Sequence, residues 1–150
     1  LIRAGNIGLL TKTKQVQPYD YAKAYVTGYL LKKELQKHPD GVAIASNQVL
    51  SNKNGEAPSV FYNATRDMLV VNPSYRGASG SKLIRNPEGC LSYPRMSKGV
   101  IRLDRIIATY YCAVSCKQVE EALEGLQAMI FQHETDHLSG HTIGHANGYA

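Results

Sequence analysis

His133, Glu134 and His137 form an H-E-x-x-H pattern, and no other feature constrains this chain as strongly. On an α-helix, residues four apart lie one turn apart on the same face, so the two imidazoles can converge on one divalent ion with Glu134 beside it. The competing reading is a chance pattern on a surface helix with both histidines solvated. The neighbouring residues argue against it. Leu126, Met129, Ile130, His133 and His137 follow one another at helical spacings, which predicts that both histidines continue an apolar, inward-facing stripe. Inward-facing imidazoles need polar partners, and a metal ion would satisfy them. Two histidines do not complete such a site. A catalytic metal usually takes three protein ligands and keeps a position for water, whose proton a nearby carboxylate can accept.

The third ligand has to be found elsewhere. In an H-E-x-x-H-x-x-G-x-x-H arrangement it would fall at Ile143; Gly140 fits that pattern and the ligand does not. His141 and His145 are out of phase, and no Asp or Glu follows Asp136. An upstream ligand is therefore expected. Cys90 is the first candidate, because Glu88-Gly89-Cys90-Leu91-Ser92 reads as a turn whose exposed backbone can present a thiolate to the helix. Cys112 and Cys116 lie in or beside an apolar β-rich run, where a cysteine more often serves as a small hydrophobe. Taken alone, Cys90 could also be such a structural thiol.

A length of 150 residues predicts one domain, 1–150, large enough for its own hydrophobic core. Hydrophobic content of 43% and charged content of 19% are globular values, and no run approaches the roughly 18 apolar residues that span a bilayer. A soluble protein with no membrane partner is expected. Three cysteines without a disulfide-framework spacing favour a reducing compartment. The net charge of +5 raises the question of nucleic acid, but Lys12, Lys14 and Lys37 are dispersed and no basic run is interleaved with aromatics, so direct nucleic-acid binding is not expected. The sequence starts at Leu1 rather than methionine, so further residues are expected to precede it.

Along the chain, residues 1 to 16 show no firm periodicity and are expected to wrap the surface. Tyr21, Ala24, Tyr25, Gly28, Leu31 and Leu35 predict a helix from Tyr21 to about His38, with Asp20 as its cap and Gly28 on the buried stripe, where it would let a neighbour pack closely. Ser59 to Asn63 and Met68 to Asn72 predict paired strands, the second ended by Pro73, followed by a loop over 74–82. Ile101 to Val114 suggests one or two strands, the second over Ile106 to Ala113. Residues 117–124 fit a strand or a helix, and the metal helix is expected to start at Gly125. The polar, glycine-rich tail after Gly140 predicts no further helix.

Three stretches together resemble the peptide deformylase family, whose signatures are G-φ-G-φ-A-A-x-Q (φ apolar), E-G-C-L-S and Q-H-E-x-D-H-L-x-G. Here they are Gly41 to Gln48, Glu88 to Ser92, and Gln132 to Gly140, in the family's order, the last two complete. The resemblance implies an α+β fold with mixed or antiparallel strands around a central H-E-x-x-H helix. It implies a metal-dependent hydrolase removing the N-formyl group from N-formylmethionyl nascent polypeptides, possible on the ribosome, by attack of a metal-bound hydroxide on the formyl carbonyl. Cys90, His133 and His137 would bind one divalent ion, Fe2+ natively, with Zn2+, Ni2+ or Co2+ also accommodated. Glu134 would be the acid/base group, and Gln48 with the backbone N–H of Leu91 would hold the oxyanion. Gly41, Val42, Ala43 and Ile44 would pair with the substrate backbone near Gly89, while Leu126, Met129 and Ile130 match positions facing the methionine side chain, with a purely core role as the alternative.

Departures from the family pattern lie in the first stretch. Ala43 replaces a glycine, Ser46 an alanine, and Asn47 stands where proline or threonine is common. Asp136 reads as structural, with Arg102 a candidate partner. Many bacterial members carry a helix after the third signature, so a compact bacterial, organellar or phage-encoded member is expected, acting as a monomer in the cytoplasm of a bacterium or of an infected host. Two other readings are a metallopeptidase of different specificity and a non-catalytic, metal-stabilised peptide-binding module. Gln48 and Glu134 weigh against the latter, because a structural metal site needs neither.

Overall fold

The computed structural model describes residues 1–144; His145 lies outside the described residues. Helix α1 spans Tyr21–Leu35, strand β1 Ala43–Ala45, β2 Val60–Asn63, β3 Met68–Gly77, β4 Leu83–Cys90, β5 Tyr93–Leu103, β6 Arg105–Cys112, β7 Lys117–Glu124, and helix α2 Gly125–Leu138. A five-stranded sheet runs in the order β1-β2-β3-β6-β7, and β4 and β5 form a separate two-stranded sheet. Every strand pair in both is antiparallel. Helix α2 packs on all five strands of the large sheet and on β5 of the small one. The expected α+β fold around an H-E-x-x-H helix is the observed one.

Period-two alternation divides the core between the two faces of the large sheet. Val60, Tyr62, Leu69 and Val71 face α1 with Ile44, Ala24, Leu31 and Leu35, whereas Phe61 and Val70 face α2 with Ala45, Ile106 and Phe131. Phe61 and Phe131 meet edge to face with ring centroids 5.5 Å apart, a geometry that adds about 0.5–1.5 kcal/mol to the area they bury. Helix α1 covers its face only over β1 to β3, so residues of either parity are buried in β1 and β2, whereas β7 carries exposed charges.

Helix α1 departs from its predicted form in three respects. It ends at Leu35, and the chain reaches His38 through tighter turns, with Lys37 N–H on Glu34 O and His38 N–H on Leu35 O. Pro39 disfavours helical backbone at the residue before it. Asp20 makes no side-chain cap bond; its φ of −107° and ψ of 8° lie outside the extended region a capping side chain needs. Tyr25 is 46% exposed, and Thr27 takes its place on the buried face. Gly28 is where close packing requires a glycine, since a Cβ there would stand 2.6 Å from Leu69 Cδ2. Gly28→Ala is expected to destabilise the protein by about 1–3 kcal/mol through overpacking, despite alanine's better helix propensity, as a lowered denaturant midpoint would record.

Pro73 does not end β3, which continues to Gly77. The register with β6 shifts between Val71 and Ser74, and Asn72 adopts φ +52°, a bulge that accommodates the missing proline N–H. The Asn72 amide pairs with both backbone groups of Val16, 2.8 Å each, tying down the amino-terminal segment. Only 78–82 of the predicted 74–82 loop remains outside strands. Strand β5 begins at Tyr93, well before the expected Ile101: the stretch Pro94 to Gly99 has little intrinsic strand tendency and is held by pairing with β4. Residues 117–124 are a strand, and α2 starts at Gly125, whose φ of +60° turns the chain sharply from β7 into the helix. Residues 1–16 do wrap the domain, though Leu9, Thr13 and Val16 are buried. Among the described residues, no helix is long and apolar enough to cross a membrane.

Candidate metal centre

Helix α2 carries His133, Glu134 and His137 along one buried face, the end of β4 supplies Cys90, and a short 3-10 turn after β1, Ser46–Gln48, supplies Gln48. One donor atom each from Cys90, His133 and His137 lies within 4.8 Å of the others. Cys90 Sγ is 3.1 Å from His137 Nε2. Donors about 2.0–2.3 Å from a common ion sit roughly 3.5 Å apart in a tetrahedron, so small side-chain adjustments would close the set. His133 Nδ1 is engaged by Glu88 Oε1 at 2.8 Å, which leaves Nε2 for the ion. Two imidazoles and a thiolate suit iron, zinc, nickel or cobalt, and three protein ligands leave room for a reacting molecule.

Burial and neighbouring charges shift the protonation of all three helix residues. Burial pushes the Glu134 carboxyl up to about 7, against the opposing charges of His133 and Arg102. Glu134 Oε1 is buried without a hydrogen-bond partner among the described residues, and Oε2 is 4.0 Å from His133 Nε2. A buried carboxylate oxygen in that state is costly unless it faces something the site is built to receive. Burial, reinforced by the charges of His133 and Arg102, holds His137 well below its usual range, hence neutral and able to ligate. For His133 burial also opposes the charge, but hydrogen bonds with Cys90 and Glu88 outweigh it and raise the pKa to about 10. A metal ion would displace that proton and take over its electrostatic role.

Beneath the histidines lies a buried ionic cluster. Arg102 donates through Nε and Nη2 to the two carboxylate oxygens of Glu88 at 3.0 and 2.9 Å, and through Nη1 to Asp136 Oδ2 at 2.7 Å. Tyr75 O–H donates to Asp136 Oδ1 at 2.8 Å. Asp136 therefore has the partner expected of it. Glu88 was not anticipated from the sequence as the residue that orients His133; its only signal was an acidic side chain two positions before Cys90. Partners of this kind fix the ring and its tautomer.

Gln48 is locked in place. Its Oε1 accepts from the Ala45 N–H at 2.9 Å, and its Nε2 reaches Ser92 Oγ at 3.1 Å and Cys90 Sγ at 3.6 Å. Asn47 Nδ2 donates to the carbonyl of His137 at 2.7 Å, and Ser46 Oγ bonds the carbonyl of Pro58, so both departures from the family pattern hold this turn in position.

A cavity of about 600 Å³ opens onto Cys90, His133, Glu134 and Gln48. Gly41, Val42 and Ala43 line one wall, Gly89 and Leu91 another, and Met129 and Ile130 the helix side. Two of the expected substrate residues do not reach it. Ile44 is fully buried toward α1, because it alternates with Ala43 and Ala45 along β1, and Leu126 is 52% exposed at the first turn of α2, outside the lining.

The family model described as polypeptide deformylase matches residues 1–147. A peptide deformylase of Thermotoga neapolitana is 34% identical over 136 residues, covering 91% of this chain and 79% of that protein. Peptide deformylase 2 of Streptomyces coelicolor is 38% identical over 107 residues, 67% of this chain and 56% of the relative, so the chain spans little more than half of that protein. Among solved structures, the peptide deformylase of Thermotoga maritima superposes with a TM-score of 0.77 at 31% identity, over 95% of this chain and 92% of that one. One from a bacteriophage of Vibrio parahaemolyticus, in complex with actinonin, gives 0.80 at 25% identity over 95% and 98%.

Proposed function

Because the chain belongs to the polypeptide deformylase family, we propose that it is a metal-dependent hydrolase that removes the N-formyl group from N-formylmethionyl polypeptides. The observation that carries this reading is the convergence of Cys90, His133 and His137 beside the unpartnered Glu134 oxygen, at the floor of a cavity walled by an open sheet edge. A different metallopeptidase and a non-catalytic module are not favoured by the relatives.

Cys90, His133 and His137 would hold the divalent ion, ferrous iron by preference, and such an ion lowers the pKa of a water and polarises a carbonyl oxygen. Glu134 takes the water proton as the formyl carbon is attacked and returns it to the departing amide nitrogen, so the C–N bond breaks to give formate and a free amino terminus. Gln48 Nε2, releasing its long 3.6 Å contact with Cys90 Sγ, and the Leu91 N–H donate to the oxyanion. Strand β1 has β2 on one side only, so an extended peptide can add along its other edge, with the methionine side chain toward Met129 and Ile130. The three cysteines are free thiols, in keeping with a reducing compartment, and we take a monomer acting on nascent chains in the cytoplasm of a bacterium or an infected host as the setting.

The test is turnover of formyl-Met-Ala-Ser against its unformylated form, with metal content measured. Formate release without internal cleavage is expected. Cleavage within the peptide would select the metallopeptidase, and bound metal without turnover the binding module.

Ala43 bears on substrate affinity. Its φ is not positive, so the methyl adds no backbone strain; it occupies space on the cavity wall where a glycine would admit a closer peptide. Ala43→Gly is expected to lower KM for formyl-Met tripeptides about threefold, with a smaller change in kcat. An unchanged or higher KM would remove β1 as the peptide-pairing strand.

A further inference from the structure

Residues 2 to 4 bridge the two groups assigned to the oxyanion. The Ile2 N–H donates to the carbonyl of Gln48 at 2.7 Å, the Arg3 guanidinium Nη1 to the carbonyl of Leu91 at 2.7 Å, and the Ala4 N–H to the carbonyl of Ser92 at 2.9 Å. Leu91 and Ser92 are the two turn residues between β4 and β5, flanked by the paired Cys90 and Tyr93. Both turn carbonyls are therefore held by consecutive residues of the amino-terminal segment. Gln48 completes the circuit through its Nε2 bond to Ser92 Oγ at 3.1 Å.

The two donors need such a brace because they come from different sheets. Gln48 follows β1 of the large sheet, whereas Leu91 caps the small one. Their separation is set by contacts across the gap. Oxyanion donors act only when held within a few tenths of an ångström of the position where charge develops, and a mobile turn loses that geometry. A guanidinium on a turn carbonyl is a charge-assisted bond that restrains rotation of the Leu91–Ser92 peptide.

We propose that residues 2–4 set the spacing of the Gln48 and Leu91 donors, with Arg3 as the positioning residue of the turn. The proposal rests on the deformylase reading. Arg3 also lines the cavity, so a direct substrate contact has to be separated from a positioning role. A substrate contact would appear in KM, a positioning role in kcat.

The experiment compares wild-type protein with Arg3→Ala, Arg3→Lys and, as a surface control, Arg76→Ala, whose side chain pairs with Glu120 on the exposed face of the large sheet. Metal content, melting temperature, kcat and KM are measured with formyl-Met-Ala-Ser. Arg3→Ala is expected to keep its metal and its KM within about twofold while kcat falls about tenfold; Arg3→Lys, which still donates one charged hydrogen bond, restores most of kcat, and Arg76→Ala changes nothing. An unchanged kcat in Arg3→Ala overturns the proposal. So does a rise in KM alone, a loss of metal in step with activity, or a kcat loss that follows the melting temperature and is not restored by lysine. A wild-type protein that releases no formate overturns the deformylase reading and this inference with it, whereas active wild-type and equally active Arg3→Ala overturn the inference alone.

Discussion

Glu134→Gln is expected to leave the metal bound and reduce kcat by about 10³-fold, roughly 4 kcal/mol of transition-state stabilisation. Glutamine preserves the length and planarity of the side chain, so α2 and both imidazoles keep their places. What disappears is a proton acceptor. Glu134 is 5% exposed, its Oε1 has no hydrogen-bond partner among the described residues, and burial raises its pKa to about 7. Each property costs stability in the resting protein, and each is what a group exchanging a proton during turnover would require. A neutral amide removes the cost of burying the charge, so the melting temperature of the variant should not fall. Metal analysis after dialysis, formate release and thermal melting check the prediction together. Metal lost in proportion to activity would mean that Glu134 is a ligand or a structural support, and the assignment of acid/base chemistry to it would fail.

Cys90→Ser is expected to weaken metal binding by two orders of magnitude or more, because a neutral hydroxyl at physiological pH replaces a thiolate in a three-ligand set. The substitution is nearly isosteric at a half-buried position at the end of β4, and the two hydrophobic clusters flanking the large sheet do not include Cys90. The apoprotein should therefore fold, and only the stabilisation contributed by bound metal should be lost. Cys112→Ser is the informative control. Cys112 is also a half-buried thiol, but it closes β6, pairs with Val70 and Lys117, and lies outside the metal-donor cluster. Its metal content should equal that of the unaltered protein. Equal loss in the two variants would show that the ligand set has been misassigned.

The H-E-x-x-H helix was legible in the chain because its determinants are local. A four-residue spacing puts His133 and His137 on one face whatever surrounds them, and the glycine at 125 marks the corner where β7 gives way to α2. The paired β2 and β3 strands and the first helix were legible for the same reason, through side-chain patterns read over a few consecutive residues. Cys90 was only a candidate on those terms. Whether it can serve as a donor depends on a β4 end brought against a helix far along the chain, which no local pattern encodes.

Tertiary structure decided the rest. Tyr93 to Gly99 is a strand because β4 lies beside it, and Pro73 remains inside a strand because a bulge with Asn72 at positive φ absorbs the lost donor. Leu126 satisfies the helical stripe yet stands in solvent, since the first turn of α2 projects beyond the cavity; Ile44 belongs to the expected substrate strand yet turns toward α1, since alternate residues of any strand face opposite ways. Glu88 orients His133 only because Arg102, from the neighbouring strand, neutralises it in a buried setting. Residue types and short spacings determined which chemistry the chain could carry. The mutual distances and desolvation of those residues, which depend on contacts between distant segments, were decided only by the packed fold.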